Sequence, residues 1–355
     1  MKPRHTEAPL SWFPPGSSVW LAAGFAALMA LGREASASPR TPRQDAGAAG
    51  NRWALLVAGI SGDPELKEGY FKQIMELRGI LEGPYGFPHD HVLVLFEEPE
   101  RDPARVQFRS TRGDLHKACD QIAARASPAD LLFVVLMGHG SFDKGGYKLN
   151  LVGPDPSGEE IAAALYSIPA GRHVVVNTTS ASGGSMQALA HEKSIVITAT
   201  KSGNEKNQTH MGEFLIEALR DGNADADKNG RVSVLEAFVY AARKVEDYYS
   251  QDGALQTEHA ILDDDGDGQG RSDPSPANGE GFLARTTYID SGALRAGLAA
   301  LSPEEKTLTA EARVLEKQIE ELKYAKAAMA QEEYEKKLEE LLLRLAEVNA
   351  KLRKK

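Results

Sequence analysis

Two short segments of the chain carry residues able to do chemistry. The apolar run 131–137 leads into Gly138-His139-Gly140-Ser141, and the run 173–176 leads into Asn177-Thr178-Thr179-Ser180-Ala181-Ser182-Gly183-Gly184. The first offers an imidazole, which can take or give a proton near neutral pH. The second offers a hydroxyl among small residues, with room beside it for a scissile bond. A base on one loop and a nucleophile on another, with backbone N–H groups aimed at a developing oxyanion, is the layout of acyl transfer. In that reading His139 is the general base or acid, and Ser180 stands at the nucleophile position.

A second segment is richer in oxygen ligands. Asp225-Ala226-Asp227-Lys228-Asn229-Gly230-Arg231-Val232-Ser233-Val234-Leu235-Glu236 fits the twelve-position calcium loop. Oxygen donors fall at positions 1, 3 and 5 (Asp225, Asp227, Asn229), glycine at 6, and a chelating Glu236 at 12. Arg231 offers its carbonyl at position 7 and Ser233 its side chain at 9. The expected ion is Ca2+ in a structural role; the plainer alternative is an acidic turn without metal. A further acidic run, Asp263-Asp264-Asp265-Gly266-Asp267-Gly268, has Pro274 where position 12 would fall and reads as a solvated loop. His89-Asp90-His91 is too short for a metal site and reads as a turn.

These residues need elements to hold them. Continuous apolar runs at 53–60, 92–96, 131–137, 173–176 and 194–200 read as strands buried on both faces. Helical spacing separates them: Leu66, Tyr70, Ile74, Leu77 and Leu81; Leu115, Cys119 and Ile122; 159–165; and Met211, Phe214, Leu215 and Leu219. The alternation gives an α/β fold, a mostly parallel sheet with helices on both faces. Both loops then leave the C-terminal ends of their strands, on one edge of the sheet. If the two strands are neighbours, His139 and Ser180 face one crevice. Helices also flank the calcium-type loop, placing it as an insertion at 221–250. After Leu301, Ser302-Pro303-Glu304-Glu305 starts a helix, with serine as cap and acids at the positive end of the dipole. Apolar steps continue through Leu308, Ala312, Leu315, Ile319 and Leu322, and again from Tyr334 to Leu352. The break at 323–331 predicts a C-terminal helical hairpin over 302–355, or one discontinuous coiled-coil helix. Its expected role is packing or self-association.

Of the 355 residues, 51 are acidic and 41 basic, giving a net charge of −10 and arguing against a nucleic-acid footprint. One cysteine, Cys119, excludes a disulfide framework within the chain and reads as a small core hydrophobe. At the N-terminus a basic start, an apolar run at 19–31 and Ala35-Ser36-Ala37 fit a signal peptide at 1–37, with an uncleaved anchor as the alternative. The expected destination is the periplasm or the outside of a bacterial cell. Residues 38–51 read as a linker, 52–301 as the main domain, and no later segment is apolar enough to span a bilayer.

The two loops together resemble the legumain and caspase group of cysteine peptidases, clan CD. Gly138-His139-Gly140-Ser141 is similar to the group's apolar strand ending in His-Gly. Thr178-Thr179-Ser180-Ala181-Ser182-Gly183 is similar to the legumain motif of acid, Ala, nucleophilic Cys, any residue, Ser-Gly, but carries Thr178 for the acid and Ser180 for the cysteine. The resemblance covers about 52–220 and implies a caspase-like fold. It also implies an oxyanion hole from the N–H groups of Gly140 and Ser180, and a peptide or protein as substrate or ligand. The substitution weighs against turnover. A thiol ionises near ~8.5, whereas a serine hydroxyl needs a well-oriented base, usually a histidine steered by a carboxylate. Asp143 and Asp155 are the candidates for that carboxylate. The expected protein is an exported, non-catalytic or weakly active peptidase homologue. The alternatives are an active serine-nucleophile endopeptidase, or a calcium-stabilised envelope scaffold. A nucleotide site finds no support, since neither a Gly-rich fingerprint nor a P-loop lysine pattern is present.

Overall fold

The computed structural model describes residues 50–251, 253–290 and 302–353. The signal peptide expected at 1–37 and nearly all of the linker at 38–51 lie outside those residues. The strands are β1 (Arg52–Ala58), β2 (Val92–Phe96), β3 (Phe108–Arg109), β4 (Leu131–Met137), β5 (Gly140–Asp143), β6 (Gly146–Leu149), β7 (Arg172–Asn177), β8 (Ser194–Thr198) and β9 (Ile261–Asp263). The helices are α1 (Pro64–Glu82), α2 (Arg112–Ala123), α3 (Gly158–Tyr166), α4 (Met186–Leu189), α5 (Met211–Asp221), α6 (Val234–Gln251), α7 (Phe282–Thr286), α8 (Pro303–Tyr324) and α9 (Gln331–Arg353).

Seven strands form one sheet in the order β3-β2-β1-β4-β7-β8-β9. Every neighbouring pair is parallel except β8 and β9. The apolar runs form strands because each of their faces meets a different layer. Ala54, Leu56 and Ala58 of β1 join a core with Tyr70, Ile74 and Leu77 of α1, Leu215 of α5 and Phe238 of α6. Trp53, Leu55 and Val57 point the other way, to Leu115 and Cys119 of α2 and Ile161 and Leu165 of α3. The period of two thus loads both faces with hydrocarbon, as a parallel sheet between helical layers requires. Cys119 lies in the second core, and burial pushes its thiol up to about 12, so it packs as a hydrophobe.

Strand order reverses between β1 and β4. Crossovers run one way to β2 and β3 and the other way to β7 and β8, which opens a crevice at the C-terminal ends of the central strands. β4 and β7 are direct neighbours, with Leu136 opposite Asn177. The loops carrying His139 and Ser180 therefore leave the sheet side by side.

Several elements add to the sequence expectation. β5 and β6 form a two-stranded antiparallel hairpin directly after His139, and β9 closes the sheet as an antiparallel edge. At the C-terminus, α8 starts with Ser302 as cap in a reciprocal pair with Glu305. Leu308, Ala312 and Leu315 of α8 pack with Val348, Leu341 and Leu345 of α9, so the break near residue 328 is the turn of a helical hairpin. Tyr324 Oη donates to the Glu280 carbonyl at 2.8 Å, and Arg285 pairs with Glu320 at 3.3 Å, joining α8 to the α7 segment. No helix among the described residues is long and apolar enough to cross a membrane.

Candidate functional site

Glycine sets the backbone path around His139. Gly138 has φ +113°, and a Cβ there would lie 3.3 Å from the Gly59 nitrogen. Gly140 approaches the second loop so closely that a Cβ would lie 2.4 Å from the Ser180 carbonyl oxygen and 2.6 Å from the Tyr147 ring. A side chain at Gly140 would drive the two loops apart, and one at Gly138 would be strained by its positive φ and crowd Gly59.

His139 is half-buried, and its Nε2 lies 3.2 Å from the carbonyl oxygen of Ser61. A carbonyl only accepts, so Nε2 carries the hydrogen in this contact; in a neutral ring the lone pair would then be on Nδ1. The Tyr70 ring meets the imidazole edge-on, with centroids 6.1 Å apart. Among the described residues no carboxylate is hydrogen-bonded to the ring. The two expected steering acids act elsewhere: Asp143 accepts from the Gly145 N–H at 2.7 Å and Asp155 from the Leu151 N–H at 2.9 Å. Each carboxylate accepts from an N–H of its own loop, as short acidic side chains commonly do, and neither is hydrogen-bonded to the imidazole.

Ser180 is 3 % exposed, and its hydroxyl closes a bridge to a single residue. It accepts from the Gly140 N–H at 3.1 Å and donates to the Gly140 carbonyl at 3.0 Å. The Gly140 N–H, one of the two groups expected to form the oxyanion hole, is thus engaged by the hydroxyl itself. A web of short polar side chains fixes the loop around it. Tyr147 Oη and Thr179 Oγ1 lie 2.7 Å apart, Thr179 Oγ1 donates to Asn177 Oδ1 at 2.8 Å, and Asn177 Nδ2 donates to Ser185 Oγ at 2.9 Å. Ala181 is left-handed at φ 56°, and its N–H donates to the Glu205 carbonyl at 2.7 Å. Thr178, at the position the acid would hold, donates its hydroxyl to the Leu136 carbonyl at 3.0 Å, closing β7 onto β4. Burial pushes the Tyr147 phenol up to about 12, which keeps it neutral within this web.

On the side of β4 away from β7, two more strand ends contribute groups that the motif reading missed. Ser61 follows β1 and Glu97 follows β2. The Ser61 hydroxyl donates to Glu97 Oε1 at 2.6 Å and its N–H to the same oxygen at 3.3 Å. Lys67 of α1 stands 3.7 Å from Glu97 Oε2 and 2.6 Å from Glu98.

The calcium-type loop lies between α5 and α6. Gly230 turns at φ +87°, and its N–H donates to Asp225 Oδ2 at 2.9 Å. Asp227 Oδ1 accepts from the Asn229 N–H at 3.0 Å, and Asn229 Oδ1 from the Arg231 N–H at 2.8 Å. Ligand oxygens of Asp225, Asp227 and Glu236 lie within 4.8 Å of one another. Asp225 Oδ1 is buried without a partner. Burial, then the nearby Glu236 and Asp225 carboxylates, raise the Asp227 pKa. Glu236 accepts from the Ala226 N–H at 3.0 Å and from the Ser233 N–H at 2.9 Å. The Ser233 hydroxyl also donates to Glu236, at 2.8 Å. The Arg231 side chain turns outward to Asp290 and lies over the Tyr288 ring at 3.8 Å, leaving only its carbonyl to offer. These oxygens are the donor set that a hard divalent cation takes.

The second acidic run departs from the solvated loop expected of it. Asp263 is 0 % and Glu280 1 % exposed, and oxygens of Asp263, Asp265, Asp267 and Glu280 lie within 4.8 Å of one another. Asp263 sits on β9, and the chain returns after Pro274 to bring Glu280 alongside, from well beyond the spacing that a linear loop motif covers. Burial and a hydrogen bond to Asp264 push the Glu280 carboxyl up to about 8.

No family model matches the chain, and no curated protein does. Among solved structures, protein GSU0716 from Geobacter sulfurreducens is similar with a TM-score of 0.41 and 15% identity, over 60% of this chain and 92% of that one. The Drosophila initiator caspase Dronc is similar with a TM-score of 0.41 and 13% identity, over 63% of this chain and 83% of that one.

Proposed function

We propose that this chain is an exported peptidase homologue of the legumain and caspase type whose site engages a peptide or protein segment with little or no turnover. The reading is supported by two loops of the expected sequence leaving neighbouring parallel strands, β4 at the strand-order reversal and β7 next to it. The observation that carries the loss of turnover is the Ser180 hydroxyl, held between the N–H and the carbonyl of Gly140 with no hydrogen bond to His139. A hydroxyl attacks only when a base takes its proton. Here that proton points at a carbonyl, and the N–H that would receive an oxyanion is already bonded to the hydroxyl. His139, in turn, has a backbone carbonyl rather than a carboxylate behind it, so an imidazolium would gain little charge stabilisation.

Calcium at Asp225, Asp227, Asn229, Arg231, Ser233 and Glu236 belongs to the same proposal, as a structural ion clamping the end of α5 to the start of α6. The periplasm or the outside of a bacterial cell is the proposed compartment, on the sequence of residues 1–37.

The test is an assay of the full mature chain on a fluorogenic peptide library, beside Ser180→Cys, Ser180→Ala and the double variant Ser180→Cys/His139→Ala. The expected result is no turnover by the natural sequence, turnover by Ser180→Cys, and its loss in the double variant. Robust turnover by the natural sequence that disappears in Ser180→Ala would make the protein a serine endopeptidase. No turnover by any variant would leave the peptidase reading without support.

A further inference from the structure

Three side chains outside the two loop motifs converge behind His139, and their arrangement gives Glu97 a specific task. The acceptor for the imidazole is the carbonyl of Ser61, three residues past the end of β1. A carbonyl in a strand-end loop has no fixed direction unless the residue carrying it is held. Backbone bonds hold the preceding residues: the Gly59 N–H donates to the Met137 carbonyl at 2.9 Å and the Ile60 N–H to the Asn150 carbonyl at 3.0 Å. At Ser61 this backbone pairing gives way to one side chain. Glu97 Oε1 takes both the Ser61 N–H and the Ser61 hydroxyl, while its other oxygen faces Lys67. Ser61 is 2 % and Glu97 8 % exposed, so water is a poor substitute for either partner. The Tyr70 ring also packs against the His139 ring, in a T-shaped arrangement.

We infer that Glu97 is a positioning residue: by clamping Ser61 it aims the Ser61 carbonyl at His139 and so holds the imidazole as the Nε2–H tautomer, with Nδ1 free to act as base. Glu97 touches neither the imidazole nor any reacting atom and acts only through Ser61. The logic is that of the outer partners of metal-bound histidines, where the group hydrogen-bonded to one ring nitrogen decides what the other can do. The usual solution places a carboxylate directly on the ring. Here the residue Ser61 stands between carboxylate and ring, so the ring is oriented without gaining a neighbouring negative charge. The assignment of Nδ1 as base rests on the peptidase-homologue reading; the tautomer assignment does not.

The test uses the full mature chain labelled with 15N-histidine, with His139 assigned by its disappearance in His139→Gln. In the natural sequence the ring nitrogen shifts and couplings should report neutral His139 as a single Nε2–H tautomer. In Glu97→Ala the Nδ1–H form should appear alongside it, and Glu97→Gln, which keeps an oxygen for the Ser61 hydroxyl, should restore the single tautomer. Ser61→Ala keeps the carbonyl but removes the 2.6 Å bond to Glu97. It should also mix the tautomers, and it decides the matter if Glu97→Ala does not fold. In a Ser180→Cys background with turnover, Glu97→Ala should lower kcat roughly 10–100-fold, the range seen for comparable outer partners, with KM little changed. A single Nε2–H tautomer in folded Glu97→Ala, or in Ser61→Ala where the former does not fold, overturns the inference. An inactive Ser180→Cys protein that still shows the tautomer change would refute the peptidase reading and leave the role of Glu97 standing.

Discussion

Replacing Ser180 by alanine separates a hydroxyl that holds the structure from one that reacts. The hydroxyl makes two hydrogen bonds to Gly140, of 3.1 Å and 3.0 Å, in a position that is 3 % exposed. Each such bond contributes about 0.5–1.5 kcal/mol net, and a buried polar group left without a partner costs about 1–3 kcal/mol. Alanine removes both bonds at once. Gly140 is half-buried, so water recovers part of the loss on that side. The expected destabilisation is therefore about 1–3 kcal/mol, well above the roughly 0.5 kcal/mol typical of surface changes. Urea unfolding of the full mature chain, with the slope m compared between variants, measures it directly. Thermal melting gives a second reading, at about 2–4 °C per kcal/mol for domains of 150–250 residues. Ser141→Ala is the control, since Ser141 is exposed and lies beside the same loop. A Ser180→Ala protein as stable as the natural sequence, with Ser141→Ala also unchanged, would refute the bridge and return the hydroxyl to the pool of free nucleophiles.

Calcium should raise the melting temperature and EDTA should lower it, with about 2.7 kcal/mol gained at a free concentration one hundred times Kd; Asp225→Ala should abolish the difference, and coincident melting curves for the natural sequence would refute a cation at that loop. Burial lifts Glu258, which is 1 % exposed, from its ordinary 4.5 to about 7, against the pull of the His210 and Met211 N–H groups at the start of α5. The folded state then binds more protons than the unfolded one across that window, so this contribution is complete below pH 4.5 and is lost as the pH rises towards about 7. The loss is at most about 3 kcal/mol. Unfolding free energies measured from about pH 5 to pH 8 should show that decline, and Glu258→Gln should flatten it.

The sheet was legible in the sequence because β1, β2, β4, β7 and β8 are buried on both faces and so appear as unbroken apolar runs. Right-handed crossovers placed both loops on one edge of the sheet, but the adjacency of β4 and β7 was left open by the sequence and came from the structure. Other features lacked such signals. β9 is three residues long and antiparallel, so neither length nor alternation marks it. The β5–β6 hairpin has a trace in Phe142 and Tyr147 flanking Lys144-Gly145, but its strands are only four residues each, too short for alternation to mark them. Ser61 was invisible for a deeper reason: it acts through its backbone carbonyl, which every residue possesses, and Glu97 in turn acts through Ser61. Glu280 was missed because Asp267 and Glu280 are joined by a proline-containing excursion, which no fixed spacing describes. Asp143 and Asp155 had the right residue type and a plausible position, yet nearby N–H groups took both carboxylates.

If the chain is the peptidase homologue proposed above, having oxygen where that group has sulfur does more at position 180 than raise a pKa. A hydroxyl is donor and acceptor at once, so it can close the two-bond bridge to Gly140. A thiolate only accepts. It could keep the Gly140 N–H, but the adjacent carbonyl would repel it, and the favourable course would be a swing towards a proton donor. The imidazolium of His139 is such a donor, on the neighbouring loop. Serine in that position therefore has a resting state that cysteine lacks, and leaving it means breaking two bonds before any attack begins. The same N–H must then be recovered for the oxyanion. On the proposed reading, low turnover would come from hydrogen-bond competition at a single glycine, in addition to the weak acidity of the hydroxyl. Ser180→Cys removes both obstacles together, while the orientation of His139 through Ser61 and Glu97 stays as it is.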